Sequence, residues 1–244
     1  MGGDARERLD TEVAVGGDSI PLTVVRHARA RRITLRLESG RRAARVTVPP
    51  GMDLRMGVDF ARSRRDWIGS RLARQPHARP FRHGLVIPYR GEDHVIFHLP
   101  GRRGTVWREG EGKTARICVA GAAEHLPRRL EDWLRKQAKK HLSAACGRYS
   151  RQMGLPYRRI SVRDQKSRWG SCSSKGNLNF SWRLIFTPPF VLDYLAAHEV
   201  AHLAEMNHSP RFWALVNRHC PHVERAEEWL SAHGRDLHSW GADE

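Results

Sequence analysis

Apolar and polar residues begin to alternate regularly at Ile20, and residues 1 to 18 before it are polar and glycine-bearing, the composition of a frayed end. From there Ile33, Leu35 and Leu37, then Val46 and Val48, fall on every second position with Ser39-Gly40 as a turn between them, which predicts a hairpin or small meander. Between Asp53 and Arg74 the later apolar residues, Trp67, Ile68 and Leu72, take helical spacing, and Gln75-Pro76 ends the run. Three short strands are expected in "GLVIPYRG", "DHVIFHLPG" and "ARICVAG", separated by glycine-rich turns. Around Ala122 the period changes. Leu126, Leu130, Trp133, Leu134, Leu142, Ala145, Tyr149 and Met153 recur three and four apart, predicting a long amphipathic helix that Gly154 and Pro156 stop. "ISVRDQKSRWGSCSSKGNLNFSWRLIF" follows as two extended runs around Ser-Ser-Lys-Gly-Asn, a hairpin signal because Gly and Asn tolerate positive φ. Thr187-Pro188-Pro189 reads as a capped helix start, with an apolar stripe through Phe190, Val191, Tyr194, Leu195 and Leu203. The pattern is α+β: a β-rich region with one helix over 19–121, then a mainly helical region over 122–240.

Composition narrows the class. Of 244 residues, 40% are hydrophobic and 28% charged, which fits a folded globular chain and excludes a disordered one. No run approaches the roughly 18 apolar residues of a membrane span, and "MGGDARERLD" has no apolar segment to serve as a secretory signal, so a cytoplasmic protein with no membrane partner is expected. Cys118, Cys146, Cys172 and Cys220 form no C-x-x-C pair, so neither a zinc ribbon nor a redox motif is indicated. The net charge of +17 would attract anionic partners, nucleic acid among them. The basic residues are spread along the chain, densest in "FARSRRDWIGSRLARQPHARPFRH", and no nucleic-acid-binding motif accompanies them.

The chemistry concentrates in "AAHEVAHLAEMNHSP". His198 and His202 are four apart on the expected helix, so their rings lie on one face and can reach a single ion. Glu199 points about a hundred degrees away, where its carboxylate can serve as a base without ligating. This is the H-E-x-x-H arrangement of zinc peptidases. A catalytic zinc takes three protein ligands and keeps one position open. His208 stands in the corner between Asn207, a helix end, and Ser209-Pro210, a new helix start, and can fold back onto the same ion. Glu224, Glu227 and Glu228 on a later helical run are the alternative third ligands. Glu205 lies in line with the histidine pair and would close a poor tetrahedron.

"KSRWGSCSSKGNLNFSWRLIFTPPFVLDYLAAHEVAHLAEMNHSPRFWALVNRHCP" closely resembles the YgjP-like metal-dependent hydrolases, which are related to SprT-like metallopeptidases. The shared pattern joins R-W-G-S-C-S, an N-x-N-W-R-like strand, H-E-x-x-H and N-H-S-x-x-F-W, densely over residues 160 to 230 and more loosely before them. The resemblance implies a zincin-like metallopeptidase domain over 122–240, with His198, His202 and His208 as zinc ligands and Glu199 as catalytic acid/base. Two departures matter. Position 205 holds Glu where a metzincin has Gly, with no methionine after Met206, and the cysteine-rich ribbon of many SprT-like proteins is missing.

The expected activity is therefore zinc-dependent cleavage of amide bonds in a peptide or protein, by metal-activated water with Glu199 as general base. Trp169 to Ser173 would lie beside the helix and could pair with an extended peptide; as plain hairpin packing, Trp169 and Trp182 would be core residues and Cys172 buried. Tyr194, Tyr157 and Arg183 are candidates for stabilising an oxyanion. Two other classes compete: a nucleic-acid-associated protein or protease acting on DNA-bound proteins, and a zinc-stabilised binding module without turnover.

Overall fold

The structure, a computed structural model, describes residues 7–38, 42–74, 77–165 and 167–241, and the chain divides into two compact units, Met1–Arg79 and Pro80–Gly241. In the first, strands β1 (Arg8–Val15), β2 (Asp18–Arg26), β3 (Thr34–Leu37) and β4 (Ala44–Val48) form a sheet in the order β1-β2-β4-β3, with β2 and β4 parallel. Strand β1 lies where a frayed end was expected. Its Val13 and Val15 are buried with Ile20 and Leu22 of β2, so this end is held by the sheet's own core. The turn expected at Ser39-Gly40 and the helix stop at Gln75-Pro76 lie outside the described residues.

Helices α1 (Leu54–Ser63) and α2 (Arg65–Leu72) replace the single expected helix. Asp53 caps α1 by accepting from the Arg55 amide at 2.8 Å. Gly57 is needed there: a Cβ would sit 2.5 Å from a Val24 methyl, so only glycine lets α1 approach the sheet this closely.

The second unit contains β5 (Val86–Tyr89), β6 (Glu92–Leu99), β7 (Val106–Glu109) and β8 (Arg116–Ala120), in the sheet order β5-β6-β8-β7. Strand β7 was not foreseen. The long helix α3 covers Leu126–Met153 as the periodicity predicts, and Gly154 ends it at φ 68°. A three-stranded sheet follows, from β9 (Arg159–Arg163), β10 (Gly170–Cys172) and β11 (Asn177–Ser181), in the order β10-β11-β9. Trp182–Phe186, expected to be extended, forms a fully buried 3₁₀ turn. Helices α4 (Pro189–Ala201), α5 (Pro210–His219) and α6 (Val223–Leu237) complete the unit.

The unit boundary falls at Arg79, not at Ala122. Ile87, Ile96, Ile117 and Val119 of the β5–β8 sheet share one hydrophobic core with Leu130 and Leu134 of α3 and with α4, so that sheet belongs with the helices. Two basic residues of α3 have structural partners: Arg129 donates to the Ala120 carbonyl, and Arg135 pairs with Glu131 and lies over the Trp182 ring. The architecture is mixed α+β. Among the described residues no helix is long and apolar enough to cross a membrane.

Candidate metal centre

The start and end of α4 set the site. Pro188 is its cap residue and Pro189 its first helical residue; Thr187, expected to cap, donates its hydroxyl to the Leu184 carbonyl instead, at 2.8 Å. Nine of its thirteen residues are buried, Glu199 among them, so the helix is a core element and its side chains have little freedom. Helical hydrogen bonding stops at His202, the C-terminal cap residue, where the backbone tightens through Leu203 and Ala204. Ser209 then starts α5, accepting from the Phe212 amide at 3.3 Å. His208 stands immediately before that cap, fixed by a helix junction at both ends of a short turn.

The three histidines converge. Nε2 of His198 lies 3.2 Å from Nε2 of His202 and 3.1 Å from Nε2 of His208. One nitrogen of each lies within 4.8 Å of the others, and no other such group of ligating side chains occurs among the described residues. Rings from α5 hold them: Phe212, fully buried, stacks on His202 at 4.5 Å between centroids, and Trp213 stacks on His208 at 5.8 Å. Reading the sequence missed this collar, although both residues belong to the "NHSPRFW" stretch.

The hydrogen bonds fix which nitrogens carry protons. Nδ1 of His202 lies 2.9 Å from the Glu205 carbonyl, which can only accept, so Nδ1 carries the proton and Nε2 a lone pair. Tyr194 donates its hydroxyl to a Glu227 oxygen at 2.8 Å, leaving its own lone pairs for Nδ1–H of His198 at 3.3 Å. Nε2 of His198 is then also bare. Burial pushes the His198 imidazole down to about 3, with His202 and His208 adding to the shift, and burial likewise lowers His202. Two bare lone pairs facing each other at 3.2 Å repel, and a cation between them removes the conflict. Two imidazoles on one tetrahedral zinc, each about 2.0–2.1 Å from it, have nitrogens about 3.3 Å apart, so the residues fit such an ion.

Glu199 is 4% exposed, and its Oε2 is buried with no hydrogen-bond partner. Burial raises its carboxyl to about 8, against a small downward pull from Arg168. Gly170 of β10 lies against it: a Cβ at Gly170 would stand 2.3 Å from Oε1 and 2.7 Å from Cδ and Cγ. Strand β10 pairs with β11 on one side and ends the sheet on the other. Trp169, half-buried, stacks on His238 at 4.8 Å, Trp182 is fully buried as expected, and Cys172 is only half-buried.

The remaining candidates lie elsewhere. Glu227 is the acceptor of Tyr194, and the exposed Glu224 and Glu228 do not join the histidines. Tyr194 is thereby turned to Glu227 and His198, and Arg183 is buried with Asp164 and the Trp240 carbonyl. Tyr157 borders a separate cavity with Leu155 and Leu203. His222 caps α6, His219 ends α5, and His233 packs on Trp229.

A family model described as YgjP-like, metallopeptidase domain, matches residues 31–233. No curated protein matches the chain. Among solved structures, the metallopeptidase zymogen of Pyrococcus abyssi abylysin is similar at 23% identity, over 37% of this chain and 90% of that one, with a TM-score of 0.34, too low to bear on the site. The family match takes in most of the chain, including the histidine helix and the β10–β11 hairpin, and this protein belongs to the YgjP-like metallopeptidase family.

Proposed function

We propose that the chain is a zinc-dependent peptidase in which His198, His202 and His208 hold the ion and Glu199 is the general base, within a zincin-like arrangement of helix and edge strand. The observation that carries this reading is the convergence of three Nε2 atoms, two of them deprotonated by their own hydrogen bonds, next in sequence to a buried carboxylate whose Oε2 has no partner. Three nitrogen donors suit zinc among the borderline-soft ions. When bound, such an ion supplies Lewis acidity, lowering the pKa of water towards about 7 and polarising a carbonyl.

The protein's own groups do the rest. Glu199, as the carboxylate, takes a proton from the attacking water and passes it to the leaving nitrogen. Strand β10 offers an unpaired backbone edge to an extended peptide, with Gly170 bringing that edge against Glu199. A structural zinc site has no need of a buried, unpartnered base, which favours turnover over a zinc-stabilised binding module.

The test is Glu199→Gln. Peptide hydrolysis should fall by about 10²–10⁴, the usual range for general acid–base catalysis, while metal analysis finds the same bound zinc as in wild type. Retained hydrolysis in that variant refutes the base assignment. Protein without bound transition metal, even after reconstitution, refutes the ligand assignment.

A further inference from the structure

The opposite end of α4 borders a second cavity, of about 540 Å³, which the peptidase reading leaves unused. Phe190, on its wall, is about 12 Å along the helix from His198 at roughly 1.5 Å per residue. Three guanidinium groups, from Arg90, Arg148 and Arg225, share this cavity with one carboxylate, Asp193. Arg148 is ion-paired with Asp193, which also accepts the Tyr149 hydroxyl, so that pair is neutral within itself. Arg90 and Arg225 have no carboxylate partner among the described residues.

Arg90 is held there against its backbone preference. Arg90 and Gly91 form the two-residue turn between β5 and β6, and both have positive φ, 55° and 79°. Such turns favour Asn or Gly, and Arg90 is the sole non-glycine residue with positive φ among the described residues. Its guanidinium donates to Nδ1 of His141. Burial, with help from Arg90 and Lys140, pushes His141 down to about 4, so at neutral pH the ring is an uncharged acceptor that aims the arginine without competing for an anion. Arg225 lies over Phe190, its guanidinium carbon 4.1 Å from the ring centroid, which holds a second guanidinium beside the same space. Helices α4 and α6 both begin at this cavity and add the positive ends of their dipoles. Pro189 and Leu192 give it an apolar side.

We propose that this cavity binds a small phosphate monoester, its dianionic head between Arg90 and Arg225 and its organic part against Leu192 and Phe190. Two uncompensated cations match the charge of about −1.5 to −2 that a phosphate monoester carries at pH 7, whereas one carboxylate would leave an arginine unbalanced. The site is independent of the peptidase assignment, since it uses none of the histidine trio.

Calorimetric titrations with inorganic phosphate, phenyl phosphate and acetate, at fixed ionic strength, test it. They are run on the protein as purified and after chelator treatment, which keeps phosphate from ligating a metal at the histidines. The expected result in both states is one saturable site, with phenyl phosphate binding more tightly than inorganic phosphate and acetate at least about tenfold more weakly than either. Arg90→Asn suits the turn, so it keeps the fold, and Arg225→Gln changes an exposed helical position; each should weaken phosphate binding about tenfold or more. Arg62→Gln, on α1 of the first unit, should leave it unchanged. Non-saturable binding, acetate as tight as phosphate, phenyl phosphate no tighter than phosphate, an equal loss in Arg62→Gln, or an unaltered affinity in the Arg90→Asn/Arg225→Gln double variant overturns the proposal.

Discussion

Gly170→Ala puts one methyl group between the edge strand and Glu199, the proposed general base. The new Cβ would sit 2.3 Å from Oε1 of Glu199, so one of the two must retreat by about 1 Å to reach ordinary contact. Rotating the carboxylate alone does not solve this, because Cγ and Cδ are also only 2.7 Å away. Nor can the side chain swing out, being 4% exposed. Overpacking of this kind costs about 1–3 kcal/mol of stability, which a domain can absorb. A catalytic group displaced by about 1 Å, in contrast, loses on the order of a hundredfold in rate. The expected outcome is a folded protein with full metal content whose kcat for peptide hydrolysis is about a hundredfold lower. Steady-state kinetics, with denaturation curves and metal analysis on the same preparation, separate these effects. A Gly170→Ala protein with wild-type kcat would refute the contact between β10 and Glu199, or the role given to that carboxylate.

Three further outcomes follow from the same geometry. His208→Ala should lower zinc affinity by more than the roughly 10–100-fold that losing an outer hydrogen-bond partner costs, read by chelator competition; unchanged affinity would return Glu224, Glu227 or Glu228 to the ligand set. Tyr194→Phe and Glu227→Ala should each weaken zinc binding about 10–100-fold by freeing the Nδ1 side of His198, and unaltered affinity in both would show that the Glu227–Tyr194–His198 chain does not orient the ring. For His141 the folded value of about 4 lies below the ordinary value near 6.5, so the unfolded chain takes up the proton first as pH falls. Its contribution is complete above about pH 6.5 and is lost as pH falls towards 4. Denaturant titrations across that window should therefore show a flatter decline for His141→Gln than for wild type, and equal slopes would contradict the burial of the ring.

What could be read from the sequence depended on how local each feature is. The α3 periodicity, the Ser173–Gly176 hairpin turn and the histidine spacing are set within a few residues, and the structure has them where the pattern puts them. Strand β1 was hidden because only Val13 and Val15 of its inward positions are fully buried, and polar residues alternate with them in a stretch that begins with glycines. The four residues of β7 are too few for a period to show. The unit boundary depends on which side chains share a core, and nothing near Ala122 reveals that Ile117 and Leu130 do. Tyr194 and Glu227 are 33 residues apart, so their hydrogen bond has no signature in spacing. Gly170 stood inside a quoted motif, yet only the fold shows that its missing side chain makes room for Glu199.

The brevity of β10 governs what can associate with its edge. An unpaired strand is a hazard in a folded protein, because a second copy can add its own edge and extend the sheet into an aggregate. Three residues present too few backbone groups to hold a whole protein by strand addition alone. A short flexible chain needs only those few backbone bonds to be held on the edge. The same stub of sheet can therefore admit a peptide guest while discouraging self-association, and lengthening it would trade solubility for grip.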